Sequence, residues 1–236
     1  MLRFLISLLI MCAVIAPSLT SGEESSYCSE EYYAKVSLLY RNRNSDTAEI
    51  IFQILSCNDQ ISKDSKRGQF VALVGGYMRE NPSLIDHLLE SASSSKSPDA
   101  AKIFLDGLWL CSTEKCHNKL TKLPFQLSIQ DVNNLLQNPP PDPFLIPIED
   151  PETLDFLWGY FFGTGDTKIV ERIYDLLKDN WEALNSEDPM GTNKRLVLSA
   201  ARWSLTSIAA QQGLVKNVLK NKNSPVARAL LEEAKR

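Results

Sequence analysis

The sequence predicts an all-α fold of stacked antiparallel helical hairpins, an irregular solenoid or multi-helix bundle, with disulfides bracing its N-terminal half. Three observations carry this reading. Apolar residues recur at spacings of three and four in nearly every segment, and strict two-residue alternation is rare. Helix-starting Pro, Ser and Asp residues and helix-ending Gly and Asn residues punctuate the chain at short intervals. Four cysteines, Cys28, Cys57, Cys111 and Cys116, all precede a proline-rich stretch and follow an apolar leader.

The leader spans residues 1–22. Arg3 gives it a positive start, residues 4–16 form an apolar run broken only by Ser7, and Pro17 closes it. Thr20 and Gly22 are spaced for a signal-peptidase cut before Glu23. This run of 13 residues is short of the roughly 20 that a bilayer-spanning helix needs. The expectation is a cleaved signal and a chain that is periplasmic or secreted. Cys12 leaves with the signal.

Residues 23–137 read as a helical region carrying two disulfides. Residues 32–40 and 47–55 form two short helices joined by the polar run from Arg41 to Ser45. An antiparallel hairpin of these helices brings Cys28 beside Cys57, which pairs them. Cys111 and Cys116 lie five apart across a helix end and the turn beyond, and pair with each other. Loop closure makes the first bridge worth about 3.5 kcal/mol and the second about 2 kcal/mol. A zinc site on Cys111, Cys116 and His117 is the rival reading, but structural zinc sites show two close ligand pairs. In an exported chain the disulfides are preferred.

Phe70, Leu73, Val74 and Tyr77 make one apolar stripe, and Leu84, Ile85, Leu88 and Leu89 the next. Asn81-Pro82 separates them, since proline suits a first turn. Ser97 caps a helix over 97–110, with Pro98 and Asp99 in its first turn, and Ser128 caps another over 128–136. At 138–152 the chain changes character, with prolines at 139, 140, 141, 143, 147 and 151. Such a run is extended. The interleaved Phe144, Leu145, Ile146 and Ile148 imply a strap docked over a helical surface.

Residues 153–236 form the C-terminal helical region. Pro151-Glu152 opens a helix whose apolar residues run right around it, the mark of a core helix. Gly163-Thr164-Gly165 stops it, and Asp166 or Thr167 caps a helix over 169–177. A phosphate-binding reading of those glycines lacks the preceding strand and the third glycine. Helices over 196–210 and 214–219 follow, and Pro225 starts a charged terminal helix. Leu73, Tyr77, Leu84, Ile85 and Leu88 line up with Trp158, Phe162, Ile169, Val170 and Ile173 at an offset of 85. Trp203, Ser207, Leu214, Val215 and Val218 match at an offset of 130. Unequal steps of this kind fit three hairpins obeying one packing rule better than a fixed-period repeat.

The segments from Leu157 to Asp166 and from Ala200 to Leu205 resemble segments of uncharacterised exported helical proteins of bacteria. The resemblance covers mainly the C-terminal third and consists of core and turn residues. It implies an all-helical fold and a bacterial source, and it carries over no activity.

Little in the sequence points to chemistry. His87 lies on the edge of an amphipathic helix and His117 in a lysine-rich turn; no nucleophile elbow, metal helix, calcium loop or cofactor motif is present. Removing the leader leaves 24 basic against 29 acidic residues, which excludes nucleic-acid binding by bulk charge. Residues 142–188 hold 12 acidic against 3 basic residues, and 191–236 hold 9 basic against 2 acidic. These segments either compensate each other as neighbours or leave a basic face. The leading functional expectation is an exported interaction module binding another protein or an envelope component through Lys194, Arg195, Arg202, Lys216, Lys220, Lys222 and Arg228. The alternatives are a polymer hydrolase using Glu152 and Asp155 and a carrier of an apolar ligand against Trp158, Phe161 and Phe162.

Overall fold

The computed structural model describes residues 64–94, 98–121, 129–186 and 191–235, together with Val36, residues 38–41, Asp46, Ile50 and Ile51. The expected signal at 1–22, the pairing of Cys28 with Cys57 and most of the first hairpin lie outside the described residues.

Among the described residues every regular element is a helix. In order they are α1 (Asp64–Glu80), α2 (Ile85–Ser94), α3 (Pro98–Cys111), α4 (Glu114–Leu120), α5 (Ile129–Gln137), α6 (Pro151–Thr164), α7 (Thr167–Asp179), α8 (Trp181–Asn185), α9 (Thr192–Gln211), α10 (Gly213–Lys222) and α11 (Pro225–Glu233). Single 3-10 turns lie at Leu39–Arg41 and Pro82–Leu84. The short α4 and α8 were not legible in the apolar pattern, having one or two turns each and too few apolar positions to show a period.

The core forms around α1, which packs between α3 and α6. Glycines permit this. An added Cβ on Gly159 would stand 2.1 Å from the Gln69 carbonyl oxygen, and one on Gly163 2.4 Å from that of Leu73. The two α-carbons therefore lie within about 3.6 and 3.9 Å of those oxygens, at or just beyond the range of Cα–H···O contacts between close helices. On the opposite side of α1, a Cβ on Gly107 of α3 would meet Val74 Cγ1 at 2.6 Å. Gly163 thus serves close packing inside α6, which corrects its expected role as a helix stop. The stop is Gly165 alone, in the left-handed conformation with φ of 72° and its N–H donating to the Phe161 carbonyl.

The caps expected at Ser97 and Ser128 lie outside the described residues; three others are held by side chains. Asp150 caps α6, accepting from the Thr153 N–H at 2.6 Å. Asp166 rather than Thr167 caps α7 through the Lys168 N–H, and Ser224 caps α11 through the Ala227 N–H. Cys111 and Cys116 are bonded, with Cα atoms 6.2 Å apart. The bridge ties the end of α3 to α4, so its second half lies in a helix rather than in an open turn. Ser112 between them takes a φ of 55° to make the reversal. The aromatic run of α6 is core: Trp158, Phe161 and Phe162 are all buried and pack ring on ring at 5.7–6.1 Å.

Candidate functional site

Two surfaces come forward, the cationic C-terminal region and the strap with the helices beneath it. The seven expected cations do not share one environment. Arg202 on α9 makes a two-pronged contact with the Glu233 carboxylate of α11, and its guanidinium stands 4.9 Å above the Trp181 ring. The bond to Glu233 raises its pKa above the ordinary arginine value, against an opposing effect of burial. This arginine fastens α8, α9 and α11 together. Lys222 reaches Glu171 of α7 at 3.0 Å and covers the Tyr174 ring, so acidic and basic segments compensate each other here.

Lys194, Lys216, Lys220 and Arg228 are exposed and form no ion pair among the described residues. Arg195 is exposed as well. Lys216 and Lys220 lie one turn apart on α10, whose Val215, Val218 and Leu219 face the core. Lys194 lies at the start of α9, where Asn193 donates to the Glu149 carbonyl of the strap at 2.9 Å.

The strap is held by side chains beneath it. Arg172 of α7 donates from Nη1 to the Pro143 carbonyl at 2.6 Å and from Nη2 to that of Ile146. Burial lowers this guanidinium's pKa from its ordinary value, and Asp142 partly offsets that. The Phe144 and Tyr160 rings meet edge to face at 5.9 Å, and Lys168 Nζ stands 6.0 Å from the centre of the Phe144 ring. Phe144, Ile146 and Ile148 are half-buried as expected, but Leu145 is 77% exposed. The turn at 143–145 aims it outward, because Arg172 holds the carbonyls on both sides of it.

Where the strap begins, a groove of about 500 Å³ opens between α3, α4 and α5. Its floor is Leu108, Trp109, Leu120 and Leu135, with Leu136 37% exposed at the edge. Glu114 and His117 stand on one rim, and Asn138 to Pro140 close the other. Trp109 Nε1 donates to the Asn138 carbonyl at 2.7 Å and so fixes strap to α3. The sequence did not show this groove, since its floor residues come from three separate helices, one of which, α4, has no legible apolar pattern.

The carboxylates weighed for hydrolysis lie near the start of α6: Glu152 is exposed and Asp155 is half-buried, while the neighbouring Asp150 is used as the helix cap. Among the described residues, no three His, Cys, Asp or Glu side chains converge as a metal site would require. No helix of the described residues is long and apolar enough to cross a membrane. No protein family, curated protein or solved structure matches this chain.

Proposed function

We propose that this protein is an exported interaction module of stacked helical hairpins, without chemistry of its own, that binds another protein or an envelope component. The observation that carries the reading is the division among its cations. Arg172, Arg202 and Lys222 are engaged in holding helices and strap together. Lys194, Lys216, Lys220 and Arg228 stay exposed on an otherwise acidic chain of net charge −4. An exposed cation contributes little to stability, whereas a group of them steers an anionic partner and sets the rate of encounter. Helical hairpins offer broad surfaces for such contacts.

The test is capture from the producing cell's envelope fraction with the wild-type protein and with a variant carrying alanine at 194, 216, 220 and 228. A partner retained by the wild type, lost from the variant and released by added salt supports the reading. Capture that is indifferent to the four substitutions removes the cationic surface from it.

A further inference from the structure

Knob and groove sit on the same strap. The groove is edged by Asn138, Pro139 and Pro140; the exposed Leu145 follows five residues after Pro140, no more than about 18 Å away even for fully extended chain. We propose that the two are halves of one two-fold interface: Leu145 of one copy seats in the groove of a second copy, and the reciprocal contact forms with it.

The knob is preorganised. The N–H groups of Leu145 and Ile146 both donate to the Asp142 carbonyl at 3.0 Å. The Asp142 carboxylate accepts from the Phe144 N–H at 2.8 Å. Arg172 grips the carbonyls of Pro143 and Ile146, and Pro143 itself is buried. A side chain held out on so constrained a turn loses little further freedom on docking, which favours association. Two sides of the groove are held as well, since Trp109 is bonded to the strap and α4 is tied to α3 by Cys111–Cys116.

The chemistry matches as well. A leucine flanked by prolines is convex and apolar; the groove is concave, floored by Leu and Trp, and has room for that side chain. Asp142 and Lys168 stand beside the knob and Glu114 on the groove rim, so the pairing brings no block of like charge together and lets Lys168 face an acid. A two-fold contact needs both complementary features on one copy and close together, and this strap supplies both. The inference does not depend on the cationic surface, and either can fail without the other.

Sedimentation velocity of the purified protein, from low to high micromolar, tests it. The wild type and Leu196→Asp, a control at another exposed leucine, are expected to show a monomer–dimer equilibrium. Leu145→Asp and Leu136→Asp are expected to weaken it roughly tenfold or more with unchanged helical circular dichroism. Combining Leu136→Cys with Leu145→Cys should give, on mild oxidation, a covalent dimer whose bridging peptide joins 136 to 145, which keeps the test intact if Leu136→Asp disturbs α5. A wild type that stays monomeric throughout overturns the proposal. So does a dimer that survives Leu145→Asp, or one in which the double cysteine variant never links 136 to 145.

Discussion

Gly159→Ala is the sharpest test of how this core is built. The new methyl would stand 2.1 Å from the Gln69 carbonyl oxygen, 2.9 Å from its carbon and 3.1 Å from its Cα. All three are backbone atoms in the middle of α1, so no side chain can swing aside. Relief requires α1 and α6 to part by about 1 Å, and a gap of that size forfeits a quarter to a half of the dispersion energy of each pair across it. Overpacking usually costs about 1–3 kcal/mol, and a rigid obstacle places this substitution at or above the upper end, near 3 kcal/mol. Gly68→Ala is the opposite case. Gly68 lies in the same α1, exposed, with nothing within 4 Å of an added Cβ. There the gain in helix propensity should stabilise by about 0.5–1 kcal/mol. Urea unfolding measures both as shifts in midpoint at constant slope. In heat, Gly159→Ala should lower Tm by roughly 6–12 °C for a chain of this size. If Gly159→Ala unfolds like the wild type, or if both substitutions move the midpoint in the same direction, the close approach of α1 and α6 is wrong.

Other predictions concern single side chains. Trp158 is buried, yet its Nε1–H meets no acceptor among the described residues. An unsatisfied buried donor costs about 1–3 kcal/mol, so Trp158→Phe should trade that relief against lost volume and shift stability by less than about 1 kcal/mol. A loss of several kcal/mol on urea unfolding would show that the indole nitrogen is bonded. Arg202→Lys keeps the charge but loses the fork on Glu233 and the stacking on Trp181, and should cost about 0.5–1.5 kcal/mol in the same assay; a lysine with wild-type stability would refute the clamp. Asp86 has its pKa lowered, first by its bond with Lys119 and then by the charges of Lys119 and Lys115. A depressed carboxylate stabilises the fold above its unfolded pKa and loses that contribution as pH falls through the folded value. Because Asp86 is largely exposed, Asp86→Asn should cost no more than about 0.5 kcal/mol at neutral pH. The cost should vanish in acid, and a gap between the two proteins that widens in acid would contradict it.

The helices that could be read directly were those with a long period and a marked end. The stripe of α1, the all-round apolar character of α6, the Asp166 cap, and the proline starts of α6 and α11 are local chemistry, decided within one or two turns of chain. The bond between Cys111 and Cys116 belongs here too, since five residues of separation leave few geometries. Gly163 was misread because a helix glycine beside Gly165 looks like a stop until its neighbour across the interface is known. Leu145 was misplaced for a related reason: alternation along a strap does not say which residue turns outward.

By itself, then, the sequence determined that this chain is helical, where most helices begin and end, and which cysteines near its middle pair. Tertiary structure alone decided which glycines bring backbones together, that Arg202 and Lys222 serve the fold, and that Leu145 stands outward beside an apolar groove. The division has one physical cause. Capping, proline and periodicity act between residues a few positions apart, whereas α1 meeting α6, Arg172 reaching Pro143 and Arg202 reaching Glu233 are contacts between residues 29 or more positions apart, which exist only once the helices have packed.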